Sequence, residues 1–140
     1  MKSVVYLPTD YEPSEDEPFM NEMQLEFFRK RLVAWRNEIL ADSRDTVKKM
    51  QLQARSIPDF TDRATEESER QVQLRKRDRQ RKLVVKINLA LSRIEEGEFG
   101  YCKATGRPIS LKRLIARPIA SYCLEAQERH ERAEREFWDD

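Results

Sequence analysis

Two cysteines, Cys102 and Cys123, carry the most distinctive chemistry in this sequence. Three positions after the first stands Thr105, and three after the second stands Ala126. Were those two also cysteines, the run would read C-x2-C, seventeen residues, C-x2-C, the spacing of a structural zinc site. Such a site needs four ligands, normally thiolate or imidazole. Thr105 ligates zinc poorly and Ala126 not at all. The only histidine, His130, lies past Ala126 on a C-terminal helical segment. A tight zinc site within one chain is therefore not expected. The thiols are either small buried groups or a redox-responsive pair. A disulfide would need their Cα atoms within about 7 Å, which two knuckles of a ribbon can meet.

A second cluster is the run Ile57-Pro58-Asp59-Phe60-Thr61-Asp62-Arg63-Ala64. Asp59 suits a turn, and Asp62 or Thr61 suits the cap of a following helix. Two acids at a presented tip also suit contact with a metal, a basic loop or a partner's active centre. Both uses remain open on the residues alone. A third cluster is basic, Arg75-Lys76-Arg77-Asp78-Arg79-Gln80-Arg81-Lys82. It reads as a solvated helix face or as a docking stripe for an acidic protein surface or phosphates. It has no interleaved aromatics for stacking bases, which argues against continuous nucleic-acid binding. No nucleophile–base pair, phosphate-cradling glycine loop or metal triad points to an enzyme.

The elements that must position these groups follow from composition and period. The chain has 140 residues, the length of one domain, and a formal charge of +1. Charged residues make up 38% and glycine occurs three times, which favours long charged helices over a sheet fold. No apolar run is long enough to span a membrane, and no signal peptide is evident. A cytoplasmic, soluble protein is expected.

Residues 1–20 are acidic, hold three of the six prolines and read as a tail, partly disordered or draped on the body. Asn21 with Gln24 three residues on resembles a capping box. From there to about Arg55 the chain has neither Pro nor Gly, and a second such run goes from Ala64 to Glu96 and stops at Gly97. Leu25, Phe28, Leu32, Trp35 and Ile39 fall at alternating steps of three and four, the seam of a coiled coil. Val84, Ile87, Leu91 and Ile94 do the same on the second run. Folding at the turn makes residues whose numbers sum to 119 face each other. Leu25 then meets Ile94, Phe28 meets Leu91, Leu32 meets Ile87 and Trp35 meets Val84. Further along, Asp42 would meet Arg77 and Thr46 would meet Gln73, so the arm is apolar at its base and polar toward its tip. A helix of about 33 residues is roughly 50 Å long, so the tip is expected to project as a probe.

The expected fold is mostly α. A long antiparallel coiled-coil hairpin (21–96, tip near 57–64) projects from a small zinc-ribbon-like region without zinc (97–122). A C-terminal helix (123–140) follows. Phe99, Tyr101, Ile109, Leu111, Leu114, Ile115, Ile119, Tyr122 and Leu124 are the apolar set expected to hold the ribbon. Gly100 and Gly106 read as turns around a short hairpin. Ser110 would cap a short helix at Leu111–Ala116, stopped by Pro118, and the last helix would start from Ser121 onward. Phe137 and Trp138 would fold back onto the body.

The combined motifs resemble the DksA family, bacterial regulators of RNA polymerase. FGYC, then KRL, ARP and a second cysteine resemble that family's globular end. Asp59-x-x-Asp62-x-Ala64 is similar to its coiled-coil tip motif. MNE followed by LxxFRxxLxAWRNE resembles its first arm, and LRxRDRxRKL its second. The resemblance covers roughly residues 18–130 in collinear order. It implies a monomeric, non-enzymatic regulator that inserts its hairpin into the secondary channel of RNA polymerase. There it would destabilise open promoter complexes together with the alarmone ppGpp, repressing ribosomal-RNA-type promoters and favouring some biosynthetic ones.

The same resemblance implies roles for single residues. Asp59, Asp62 and Ala64 would be the tip determinants facing the polymerase active centre. Arg79 would make an arm contact. Leu83, Lys86 and Arg117 would form the ppGpp interface. No direct specific DNA binding, no membrane and no permanently bound cofactor are implied. Thr105 and Ala126 stand where the family usually has its second and fourth zinc cysteines, as in zinc-independent members. Gln127 stands where a lysine of the alarmone site is common. The alternatives are a thiol-based redox sensor built on Cys102 and Cys123, or a helical-hairpin protein-interaction module.

Overall fold

The structure, a computed structural model, describes residues 5–55 and 60–139, with residues 55, 60–63, 138 and 139 described by their backbone alone. Four helices follow in order: α1 (Glu22–Arg55), α2 (Phe60–Glu96), α3 (Leu111–Ala116) and α4 (Leu124–Asp139). No strand occurs among the described residues. Strand-like pairing is limited to one antiparallel bridge, Tyr101 with Pro108.

The chain divides into two compact units, each with its own packing. The first takes in the chain up to Leu32 and everything from Leu89 onward. The second is Val33–Asn88, the outer part of both long helices.

The first unit contains most of the buried apolar groups. Phe28, Leu32, Phe99, Ile109 and Leu114 are fully or almost fully buried, joined by Ala90, Cys102, Leu111, Ala120 and Ala126. Phe28 packs on Phe99 at 5.3 Å between ring centroids. The N-terminal segment is draped over this core. The Tyr11 hydroxyl donates to the Glu17 carboxylate, and the Phe19 ring meets Tyr101 edge-on at 5.5 Å. Asn21 caps α1 by accepting from the Gln24 N–H at 2.9 Å. The Gln24 side chain reaches back one residue further than a simple capping box requires. Its Oε1 accepts from the Met20 N–H at 2.8 Å and its Nε2 donates to the Ser14 carbonyl at 3.2 Å. A fully buried glutamine amide thus uses both ends to pin the entry chain.

Ser110 caps α3 through the Arg113 N–H, as its sequence suggests. Gly100 is required by its surroundings: its φ is +92°, and a Cβ there would lie 2.8 Å from Met20 Cγ. Leu124, expected in the apolar set, is 58% exposed instead, because it opens α4 and faces away from the core. Phe137 is 77% exposed, and the Trp138 side chain lies outside the described residues. Helix α4 begins at Leu124 rather than nearer Ser121.

The second unit is held by a seam with little apolar content. Among the described residues its buried ones are Ile39, Thr46 and Ile87. The Asp42 carboxylate accepts from Gln80 Nε2 at 2.6 Å and pairs with Lys76 at 2.9 Å, while Arg36 donates to Asn88 at 2.8 Å. These bonds set the antiparallel register close to the expected one, but Asp42 takes Lys76 rather than Arg77. The reason is visible in the shielding pattern. On α2 Gln73, Lys76, Gln80, Leu83, Ile87, Ala90 and Ile94 are half-buried or buried at alternating steps of three and four, and Asp78, Val84, Leu91 and Arg93 are half-buried beside them. Val84, Ile87, Leu91 and Ile94, the expected seam positions, are all half-buried or buried. On α1 the seam shifts by one residue after Ile39, to Ser43, Thr46, Met50 and Gln53, which leaves Asp42 exposed beside it. Extra steps of this kind locally unwind a coiled coil.

Candidate functional site

Cys102 and Cys123 lie at the turns of the ribbon region, and both thiols are free. Cys102 is 3% exposed; Cys123 is half-buried. The backbone around Cys102 is tied in both directions. Its N–H donates to the Arg107 carbonyl and its carbonyl accepts from the Gly106 N–H, each at 2.8 Å. The two cysteine loops are joined by Lys103 N–H donating to the Ser121 carbonyl, also at 2.8 Å.

Burial alone would raise the Cys102 thiol, since it disfavours the anion. Hydrogen bonds from the Thr105 side chain and from the backbone N–H groups of Cys123, Thr105 and Ala104 outweigh that cost and lower it to about 6. Donors converging on a sulfur are the surroundings of a knuckle thiolate. Here Thr105, in the second ligand position, supplies a hydroxyl to the sulfur.

Two arginines hold the carbonyls just before the cysteines. Arg93, on α2, donates through Nη2 to the Tyr101 carbonyl and to the Glu98 carbonyl. Arg113, on α3, donates through Nε to the Tyr122 carbonyl at 3.1 Å. Sequence reasoning did not single out either arginine. Nothing local marks them, because each reaches eight or nine residues along the chain to a backbone acceptor.

Zinc requires four converging donors. Here the Cys102 sulfur already accepts hydrogen bonds, and the Ala126 methyl is buried at the fourth position. Among the described residues no three His, Cys, Asp or Glu side chains are grouped to hold a metal ion. His130 is exposed, stacked on Tyr122 at 5.5 Å and paired with Glu134 at 3.1 Å. The residues present do not fit a zinc ion.

Of the tip residues, Asp59 lies outside the described residues and the side chain of Asp62 does too. The backbone is informative. Helix α2 begins at Phe60, not at Ala64, so Asp62 falls inside the first turn and is not the cap. An acid there favours the helix through the macrodipole rather than through a capping bond. Ala64 is exposed in the second turn.

On the arm, Arg79 and Lys86 are exposed and Leu83 is half-buried, all on α2. Arg117 is the exposed C-cap of α3, its N–H bonded to the Arg113 carbonyl. Gln127 is half-buried and donates to Glu131 at 3.0 Å, so it brings no cation to α4. The basic run is partly neutralised. Lys76 is taken by Asp42, and Arg81 and Lys82 both pair with Asp78, whose carboxyl those two cations hold below its usual range, Lys82 most strongly.

Residues 24–94 match the family described as DnaK suppressor protein DksA, N-terminal domain. Residues 97–132 match the prokaryotic dksA/traR C4-type zinc finger. The chain is 54% identical over 138 residues to the RNA polymerase-binding transcription factor DksA of Caulobacter vibrioides, covering 99% of this chain and 97% of that protein. It is 44% identical over 117 residues to the protein of the same name from Escherichia coli K12, covering 84% and 78% of the two chains. The solved structure of transcription factor DksA2 from Pseudomonas aeruginosa superposes with a TM-score of 0.77 at 41% identity, over 84% of this chain and 90% of that one.

Proposed function

Because the chain belongs to the DksA family, we propose that it is a non-enzymatic transcription regulator of the cytoplasm that binds RNA polymerase as a monomer. The observation that carries this reading is the near full-length identity to proteins named as RNA polymerase-binding transcription factors. The geometry supports it. Two unbroken helices of 34 and 37 residues are held in antiparallel register by Asp42, Gln80, Lys76, Arg36 and Asn88. Each helix is roughly 50 Å long at ~1.5 Å per residue, enough to carry a tip deep into a channel.

In this reading the hairpin enters the secondary channel and the tip residues Asp59, Asp62 and Ala64 approach the catalytic centre. Arg79 touches a wall of the channel. Open promoter complexes are destabilised, which lowers output from ribosomal-RNA-type promoters and raises it from some biosynthetic ones. The alarmone ppGpp strengthens the effect at an interface that includes Leu83, Lys86 and Arg117. Two exposed cations suit its phosphates. Gln127 brings no third cation. The ribbon works without zinc, its two cysteine loops held by hydrogen bonds.

Transcription in vitro from a ribosomal promoter with purified polymerase tests the reading, with and without ppGpp. Lowered initiation, deepened by ppGpp, is the expected result. Unchanged initiation at saturating protein would refute it.

A thiol-based response is the second reading, favoured by the lowered pKa of Cys102. A thiolate at neutral pH reacts readily when reached, but Cys102 is almost wholly buried. Replacing both cysteines with serine separates the two. Retained transcription activity with loss of a peroxide response would assign the thiols a sensing role.

A further inference from the structure

The strap formed by residues 11–20 lies within the first unit and ends in two side chains that grip the first cysteine loop. Phe19 meets Tyr101 edge-on. The Met20 thioether lies on the Gly100 backbone, where a Cβ would come within 2.8 Å of Met20 Cγ and 3.0 Å of its Sδ. Gly100 is buried and its carbonyl accepts from the Ile109 N–H at 2.7 Å, so the sulfur rests on a turn that the ribbon itself fixes. Before Phe19 the strap is less closely seated. A cavity of about 210 Å³ separates Ser14, Glu15 and Glu17 from Pro108, Ile109 and Leu111.

Met20 is also the one non-glycine residue at positive φ among the described residues, at +54°. Such a backbone persists where its surroundings enforce it. Here the Gln24 amide holds the Met20 N–H, and Gly100 receives the thioether. Met20 is half-buried, within reach of a small oxidant, whereas Cys102 is 3% exposed.

We propose that Met20 is a peroxide-responsive latch, whose oxidation to the sulfoxide releases the strap from the Gly100–Tyr101 turn. The sulfur lone pair attacks one oxygen of hydrogen peroxide. An S–O bond forms as the O–O bond breaks. The transferred oxygen passes its proton to the departing one, which leaves as water. Sulfur loses two electrons and peroxide gains them. The product is a polar sulfoxide in place of a flexible apolar thioether. Its oxygen is a strong acceptor that water satisfies better than an apolar contact does. The strained backbone then loses one of its two restraints.

Amide hydrogen exchange on the full chain tests the latch, read by mass spectrometry before and after hydrogen peroxide. Treated parent should carry one added oxygen at Met20 and exchange roughly tenfold faster across residues 11–20. Methionine sulfoxide reductases for both epimers should restore the original rate. Met20→Leu keeps an unbranched-at-Cβ apolar side chain that cannot take up oxygen, so it should exchange like the parent and ignore peroxide. Met20→Gln places a polar group there and should exchange fast without peroxide. Parental exchange in protein oxidised at Met20 would overturn the proposal. So would an equal peroxide response in Met20→Leu, or a Met20 left unoxidised while the half-buried Met23 and Met50 are oxidised. If leucine alone loosens the strap, the reductase arm decides, and exchange that stays fast after the sulfoxide is removed overturns the latch.

Discussion

The Arg113 guanidinium donates to the Tyr122 carbonyl at 3.1 Å, one residue before Cys123, just as Arg93 donates to the Tyr101 carbonyl, one residue before Cys102. Each cysteine loop is therefore held by a cation from a neighbouring helix. Arg113→Met keeps the apolar stem and removes the donor. A hydrogen bond to a charged group contributes about 1.5–3 kcal/mol, and Arg113→Met and Arg93→Met should each lower stability by about that much. Denaturant melts measure it. The same protein should contain far less than one zinc per chain, and a chelator should leave the melts unmoved. Stoichiometric zinc, or indifference to both arginine changes, would refute this account of the ribbon.

The thiol makes a prediction in pH. With Cys123→Ser present, the remaining thiol should titrate near 6, followed by thiolate ultraviolet absorbance. Thr105→Val removes the hydroxyl donor and should move the titration upward, toward the ordinary value of about 8.5. The folded pKa lies below the unfolded one. The stability it contributes is full above about pH 8.5 and is lost as pH falls through 6. Stability of the Cys123→Ser protein should accordingly rise between those limits, and the added Thr105→Val change should flatten the rise.

The ribbon was only partly legible in the sequence. Ser110 as cap and Gly97 as terminator are local signals, and both hold. The arginine clamps are tertiary contacts with no periodic signature. On the arm, period counting located both helices and the shielded positions Val84, Ile87, Leu91 and Ile94. Gln80 and Ala90 are shielded too, and a search for large apolar side chains passes over a glutamine and an alanine. The start of α2 was placed late because Pro58 and the two acids look like a longer turn than the helix allows. Leu124 was misplaced because apolar character alone does not say which way the first residue of a helix points.

At the proposed alarmone interface, Lys86→Ala and Arg117→Ala should each reduce the ppGpp-dependent part of the transcription effect and leave thermal stability unchanged. Both side chains are exposed, so truncation opens no cavity. Variants that respond to ppGpp like the parent would remove these residues from the interface.

At the tip, Asp62 lies in the first turn of α2, where loss of the charge in Asp62→Asn costs about 0.3–1 kcal/mol of macrodipole interaction. Binding to polymerase should persist through the rest of the chain. Most of the transcription effect should disappear if the carboxylate acts within the enzyme. Promoter-complex lifetime measured beside binding separates the two. A fully active Asp62→Asn protein would reduce the acid to helix chemistry.

The polar seam of Val33–Asn88 has a mechanical consequence. Thr46 and Ser43 are shielded alongside Gln73, Lys76 and Gln80, and the Oε1 atoms of Gln73 and Gln80 are buried without a donor. Such turns open locally at small cost, so amide exchange along each helix should quicken from Leu32 toward Met50 and from Ala90 back toward Gln73. The hairpin is thus a rod of graded compliance. A partner that grips its outer turns must supply their ordering free energy, and contacts there give weaker, faster-released binding than the same contacts on a stiff rod would.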